Sequence, residues 1–461
     1  MLQIYDSRLK KKVEFKPLKK GEVGMYVCGP TVYDKAHLGH GRSAVSFDVV
    51  RKYLEYKGYK VLFVSNYTDI DDKMINRAKE EGISVEALAD KVIPIYERDY
   101  EALGIKKPDI MPKATEHVKE IIELIKKLEK AEYTYVLEDG VCYDVSKYPA
   151  YGELSGQSLE ELKMGARIDV NESKRNPYDF VLWKFKKEGE PAWQSPWGEG
   201  RPGWHIECSA MTWKHLGEKF DIHGGGLDLK FPHHECEAAQ SCGAFGKGTF
   251  AQYWIHNGFI QVNNEKMSKS LGNFFTLEDI FAKYDPQVVR FMFLQTHYRN
   301  PINFSDQLLE QAKASLERIH GFVRVIETEI GSMSGDGGVV DFDKYKKDFE
   351  NSMDNDFDTS GALSVVFDLV KEANTLKTEG KLSKSDAEKI MSFLKGIDSV
   401  LGIISPRGEA TIDSDVQSMI TQREEARKNK DFKKSDEIRA ELLKKGIVLE
   451  DTPNGTIWKK G

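Results

Sequence analysis

The feature that most constrains the fold is a strand, a glycine turn and a helix written in immediate succession near the N-terminus. Val23, Met25, Tyr26 and Val27 are β-formers, Gly29-Pro30 closes the strand, and a helical stretch opens near His40. Val61-Leu62-Phe63-Val64 reads as the next short buried strand, with 43–57 as the crossover helix between the two. Such a βαβ unit implies a parallel sheet, whose ligands sit at the C-terminal ends of the strands. His37-Leu38-Gly39-His40 falls at such an end. A helix N-terminus there presents backbone N–H groups and a partial positive charge that suit phosphate. Gly39 and Gly41 let a nucleotide approach the backbone closely, and His37 and His40 can hydrogen-bond phosphate oxygens. Taken alone, the same residues also describe an ordinary helix start carrying two surface histidines.

Further along, Val118, Ile121, Ile122, Ile125 and Leu128 mark an amphipathic helix. Strand-like alternation returns from Tyr133 to Asp144, and 186–204 is rich in Gly, Pro and Trp without a clear period. Residues 121–200 are therefore expected to form an inserted subdomain. Strand text resumes at Phe220-Asp221-Ile222-His223 and from Trp254 to Val262, which would complete the sheet. Beyond Ser305 the pattern turns helical through Leu316, Ile319, Phe322, Val323, Ile326 and Ile330, then Leu363, Val366, Phe367 and Val370, then Ile390, Leu394, Ile397 and Leu401. That pattern predicts a helix bundle. The Gly/Ser-rich stretch 331–338 reads as a loop within it, and 405–415 as a break before the tail.

A chain of 461 residues has room for two to four domains and a sizeable core. No apolar run approaches the roughly 20 residues of a membrane span, and the start lacks a secretory pattern, so a cytoplasmic protein with no membrane partner is expected. Cys28, Cys142, Cys208, Cys236 and Cys242 are odd in number and dispersed, which argues against a disulfide framework. A net charge of −7 gives no global footprint of a nucleic-acid binder. A local one is written in the tail, where Thr421 to Gly461 carries 11 Lys and Arg against 8 Asp and Glu. A solvated helix face explains that balance as well as an RNA contact does.

Lys266 and Lys269 belong to Lys266-Met267-Ser268-Lys269-Ser270, a short polar loop expected after the last strand. Two lysines there suit a reaction in which pyrophosphate leaves the α-phosphorus of ATP, since such transfers rely on positioning and on stabilising phosphate oxygens. A solvated basic turn is the plainer alternative. His233 and Glu237 stand at i and i+4 and would share a helix face. With Cys28 or Cys208 they offer donors that zinc accepts. The spacing is not that of a zinc finger, buried core cysteines remain open, and His234, Glu235 and Cys236 are not excluded as ligands.

The two short motifs lie about 230 residues apart, in the order and surroundings of the two signatures of class I aminoacyl-tRNA synthetases. The segments Met25-Tyr26-Val27-Cys28-Gly29-Pro30-Thr31-Val32-Tyr33-Asp34, Asn66-Tyr67-Thr68-Asp69-Ile70-Asp71-Asp72-Lys73 and Gly203-Trp204-His205-Ile206-Glu207-Cys208-Ser209 closely resemble cysteinyl-tRNA synthetases. So do Asp221-Ile222-His223-Gly224-Gly225-Gly226, Phe231-Pro232-His233-His234-Glu235 and a tail ending in Thr452-Pro453-Asn454-Gly455-Thr456-Ile457-Trp458. The resemblance runs nearly end to end.

That resemblance implies an α/β protein with a Rossmann-type parallel-sheet catalytic domain (1–120 and 201–245) interrupted by the insertion. A lysine-motif linking domain (246–305), a helix bundle (306–404) and a small C-terminal anticodon-binding domain (405–461) follow. It implies that Cys28, Cys208, His233 and Glu237 bind one zinc ion. Thr68, Trp204, His223 and Asp228 would line the amino-acid pocket, and Gly39, His37, His40, Lys266 and Lys269 would serve ATP. This chain has Cys236 where the family motif usually carries a polar residue, so Cys236 could compete as a ligand. The implied reaction activates L-cysteine with ATP, accompanied by Mg2+, and transfers it to tRNA(Cys); zinc would select the thiolate so strongly that no editing site is needed. Family resemblance favours a monomer. The nearest rivals are a related cysteine ligase that charges an amino-sugar and a non-catalytic tRNA-binding paralogue. Arg423, Arg427, Lys428, Lys430, Lys433 and Lys434 in the tail favour a tRNA partner over the amino-sugar.

Overall fold

The computed structural model describes residues 1–156, 173–267, 274–335, 340–405, 414–429, 431–444, 447–452 and 455–460. They divide into two compact units. The first comprises Met1–Ala314, Asp343–Val366 and Ser399–Leu401; the second comprises Ser315–Phe342, Phe367–Asp398 and Gly402–Gly461.

The predicted βαβ unit is the heart of the first unit. Strand Glu22–Val27 pairs in parallel with Lys60–Ser65, and helix Leu38–Tyr56 runs between them. Lys219–Gly226 adds on the other side of Glu22–Val27, and Phe250–Asn257 adds beyond it, also in parallel. Met25, Tyr26, Val64, Ile222 and Ile255 are fully buried, as expected of a parallel sheet covered on both faces.

The last predicted strand is two strands. Trp254 to Val262 breaks at Gly258, whose N–H turns away to donate to the Tyr298 carbonyl at 2.9 Å. Ile260–Val262 then enters a separate three-stranded sheet, parallel to Ile302–Phe304 and antiparallel to Glu265–Lys266. The lysine motif thus starts on a hairpin strand, and 268–273, including Lys269, lies outside the described residues.

Helix Val118–Lys130 forms as predicted, with Ile121, Leu124, Ile125 and Leu128 buried. It packs near an antiparallel sheet ordered Thr134–Leu137, Gly140–Tyr143, Phe180–Phe185 and Gly200–Pro202. Their shared core includes Tyr143, Leu182 and Trp183. An N-terminal hairpin of Gln3–Asp6 with Lys11–Glu14 was not predicted. Buried charge ties the first unit together. Asp48 receives Lys52 Nζ and Arg290 Nη2, both at 2.7 Å, and Arg290 also donates to the carbonyls of Leu103 and Leu401. Burial would raise the Asp48 pKa, but Arg290 and Lys52 hold it below the ordinary carboxylate value.

Helices Asp306–Glu329, Thr359–Thr378 and Lys384–Leu401 follow the predicted periodicity. Helix Phe342–Asp354 was not predicted; only Tyr345, Phe349 and Met353 are buried along its otherwise charged text. In the second unit, helices Ser414–Lys428 and Phe432–Lys444 precede a hairpin of Ile447–Thr452 with Gly455–Lys460. Ile420, Ile438, Leu442, Ile447 and Leu449 form a small core between these helices and the hairpin.

Candidate active site and metal cluster

The C-terminal ends of the parallel strands open into a cavity of about 370 Å³. Cys28, Thr68, Trp204, Cys208, Asp228 and His233 line one end, and His37, Gly39, His40 and Met267 line the other. Glu237 stands behind this lining in contact with Cys28 and His233, His223 is treated below, and the side chain of Lys266, like Lys269, lies outside what the structure describes.

At the first end, three segments bring four residues together. Cys28 follows strand Glu22–Val27, and its N–H donates to the Gly224 carbonyl at 3.1 Å. Cys208 sits on helix Trp204–Leu216, while His233 and Glu237 flank the start of helix Glu235–Phe245. One ligand atom each from Cys28, Cys208, His233 and Glu237 lie within 4.8 Å of one another, all buried. The two Sγ atoms are 3.8 Å apart, Cys28 Sγ is 3.4 Å from Glu237 Oε1, and His233 Nε2 is 3.0 Å from the same oxygen. A second set of Cys28, His223, His234 and Glu237 shares two of these members.

The donor set fits a divalent cation. Glu237 is held well below the usual carboxylate range, since His223 and His233 outweigh its burial. The hydrogen bond from Cys28 draws the Cys208 thiol down to about 6 against the effect of burial. Burial pulls His233 down, but Glu237 dominates and pushes it up to about 10, whereas burial pushes the Cys28 thiol well up. The shifts run toward a charged Glu237 and His233 side by side, with the Cys208 thiol the more acidic of the two thiols. A metal cation displaces protons from such groups, and two sulfurs, a nitrogen and an oxygen are donors that zinc takes tetrahedrally.

Several supporting residues were not read from the sequence. His205 Nδ1 lies 2.9 Å from His233 Nδ1, so it fixes the imidazole from behind and leaves Nε2 facing Glu237. Its only signal was its place three residues before Cys208 in the tryptophan-histidine segment. Asn66 Oδ1 accepts from the Gly29 N–H at 2.9 Å, and Asn66 Nδ2 donates to Thr68 Oγ1 at 3.3 Å. A Cβ on Gly29 would lie 1.6 Å from the Asn66 carbonyl oxygen, so only glycine lets the strand end and this loop close together. Lys73 lines the cavity with its ammonium 5.5 Å from the Tyr33 ring centroid.

Trp204, 38% exposed, stacks on His233 with ring centroids 4.5 Å apart. His223 does not line the cavity. It is fully buried against Tyr26, its Nε2 3.5 Å from Cys28 Sγ and 3.4 Å from Glu237 Oε2. Cys236 stands outside both ligand sets, its Sγ 3.4 Å from Tyr151 Oη, and Glu235 accepts from the Ser155 N–H at 2.7 Å. Cys142 is buried and Cys242 Sγ lies 3.7 Å from the Thr249 carbonyl.

The other end is built locally. His37 caps helix Leu38–Tyr56: its Nδ1 accepts from the N–H groups of Gly39 at 3.0 Å and His40 at 3.3 Å. His40 Nδ1 returns the cap by accepting from the His37 N–H at 3.3 Å, and Tyr96 Oη lies 3.2 Å from the same nitrogen. The two rings stack 3.6 Å apart. With each Nδ1 serving as acceptor, the proton of each neutral ring sits on Nε2.

Proteins of known structure share this fold. In the solved structures, a Mycobacterium tuberculosis methionyl-tRNA synthetase in complex with methionyl-adenylate matches with a TM-score of 0.61 at 15% identity, covering 83% of this chain and 90% of that one. A putative arginyl-tRNA synthetase from Campylobacter jejuni matches with a TM-score of 0.58 at 13% identity, over 84% and 93%. The fold is that of the class I aminoacyl-tRNA synthetases. Residues 14–314 match the family described as the class I (C) catalytic domain of tRNA synthetases, 348–405 the DALR domain, and 410–458 the cysteinyl-tRNA ligase anticodon-binding domain. A cysteine–tRNA ligase of Clostridioides difficile (strain 630) is 49% identical over the full length of both chains. The chain belongs to the cysteinyl-tRNA synthetase family.

Proposed function

We propose that this chain activates L-cysteine with ATP and transfers it to tRNA(Cys), with the four-residue cluster as a zinc site that recognises the substrate's sulfur. The observation that carries this reading is the convergence of Cys28, Cys208, His233 and Glu237 at one end of a cavity whose other end is the histidine-capped helix. The set with both cysteines is preferred over the His223/His234 set because two thiolates suit a soft-ligand metal better.

A bound zinc supplies a Lewis acid that lowers a thiol's pKa and favours sulfur over a hydroxyl. The protein's own residues do the rest. Thr68, Trp204 and Asp228 surround the amino acid and orient its carboxylate toward the nucleotide end. The N-terminus of helix Leu38–Tyr56, with the Nε2–H groups of His37 and His40, stabilises charge on ATP phosphates as the carboxylate attacks the α-phosphorus. Lys266 and Lys269 act on the leaving pyrophosphate, and ATP enters with Mg2+. A terminal ribose hydroxyl of the tRNA then attacks the adenylate's carbonyl, forming the cysteinyl ester and releasing AMP, with no covalent enzyme intermediate. We assign the predicted domains the same roles, with the parallel sheet running on through Phe250–Asn257 and the tail taking the anticodon. The match of 410–458 to an anticodon-binding domain favours tRNA over an amino-sugar acceptor.

The test is charging of tRNA(Cys) with cysteine and serine side by side, with metal content measured on the same sample. Cysteine charging with one zinc per chain is the expected result; adenylate formation without charging would overturn the tRNA reading.

A further inference from the structure

Arg42 is the first side chain after the histidine motif and its following glycine, and it is 1% exposed. Nothing in the reaction above uses it. Its guanidinium has no carboxylate partner among the described residues. Instead Nη1 donates to the Phe259 carbonyl at 2.9 Å, and Nη2 donates to the carbonyls of Tyr298, at 3.2 Å, and Asn300. Burial alone lowers its pKa to about 10, so it stays charged at neutral pH. A buried cation matched only by carbonyl dipoles costs folding energy, which calls for an account of what it holds.

What it holds is the root of the lysine hairpin. Phe259 immediately precedes strand Ile260–Val262, and its carbonyl also accepts from the Ile302 N–H at 3.0 Å. Residues 298–300 precede Ile302–Phe304, the parallel partner of that strand. Glu265–Lys266 completes the sheet, and the Met267 N–H donates to the Ile260 carbonyl at 3.2 Å. On the far side of 268–273, the Leu38 N–H donates to the Phe275 carbonyl at 3.2 Å and the Leu277 N–H to the Ala36 carbonyl at 2.9 Å. Both flanks of the lysine motif are thus fastened to the segment that bears the histidine motif. The exit is fastened through backbone hydrogen bonds, and Arg42 ties the entry through its guanidinium.

We infer that Arg42 is a positioning residue that sets where the lysine motif stands relative to the histidine motif. This rests on the proposed role of the lysines in ATP chemistry. A planar fork reaches carbonyls on two chain segments at once; a lysine ammonium is a point donor on a flexible stem and does not reproduce that geometry.

The test compares Arg42→Lys with the wild-type chain, and uses Arg42→Gln in its place if the lysine variant is insoluble. Rates are counted per active site from the adenylate burst. The inference predicts a 10- to 100-fold fall in the per-site ATP–pyrophosphate exchange rate or in its dependence on ATP, the loss expected of about 1 Å of misplacement. The cysteine KM, the cysteine-to-serine ratio and the zinc content stay as in the wild type. Hydrogen–deuterium exchange should quicken in peptides covering 259–267 and 298–304 and not in the cluster helices. Unchanged per-site rates and ATP dependence, or a cysteine KM that rises in step with the ATP KM, would overturn the inference. A wild-type chain without cysteine-dependent exchange would sink the ligase reading instead, and the amide-exchange arm then judges Arg42 independently.

Discussion

The two ends of the cavity are built in opposite ways. The histidine end is local: His37 and His40 cap one another within four residues, and their geometry follows from a single helix start. The cluster end is convergent: Cys28, Cys208 and the His233–Glu237 pair arrive on three separate stretches of chain spanning more than 200 residues, with His205 and His223 pressed behind them. A local arrangement survives damage elsewhere and fails by losing one hydrogen-bond donor. A convergent one depends on every contributor, because removing one ligand leaves the others as buried, unmatched charge. The ends should therefore fail separately and to different degrees.

The largest effect is expected from Cys28→Ser. Metal content should fall from one zinc toward none, and kcat/KM for cysteine should drop by roughly 10³-fold or more as the sulfur-specific bond is lost. Full zinc occupancy with intact discrimination against serine would show that Cys28 is not a ligand. Next comes His40→Asn, for which loss of a donor at the developing phosphate charge should cost about 10²- to 10³-fold in pyrophosphate exchange. Zinc content and cysteine affinity should not move, and a loss of zinc in this variant would show that the ends are not separable. His205→Gln sharpens the cluster side. Weakening the group behind a ligand histidine should reduce zinc affinity about 10- to 100-fold, read by competition with a chromophoric chelator. The smallest effect is expected from Tyr96→Phe, which removes one hydrogen bond to His40 Nδ1 and should slow exchange by a few-fold, equivalent to about 1 kcal/mol.

The same contrast explains what was legible in the sequence. The βαβ unit and the histidine helix could be read because alternation, a glycine-proline stop and a helix start are all written within a few residues. The pairing of His233 with Glu237 was legible for the same reason, as helical spacing fixes it. That Cys28 and Cys208 stand beside that pair depends on the packing of helix Trp204–Leu216 against the sheet, which no spacing encodes; only resemblance pointed to it. His205 was passed over because a histidine beside a tryptophan carries no signal until His233 is placed opposite. The break at Gly258 was missed because Trp254 to Val262 reads as a continuous β-rich run, and the Tyr298 carbonyl that receives the Gly258 N–H lies 40 residues away. Helix Phe342–Asp354 was missed because three buried residues in a charged stretch make a thin apolar stripe.

In this reading the convergent end selects cysteine through a metal while the local end drives nucleotide chemistry. That division is tested most directly by ATP–pyrophosphate exchange with cysteine or serine, run on metal-loaded protein, chelator-stripped protein and stripped protein restored with zinc. Cysteine-dependent exchange is expected only in the loaded and restored samples, and none with serine in any. Equal exchange with cysteine before and after stripping, with metal loss confirmed, would contradict it.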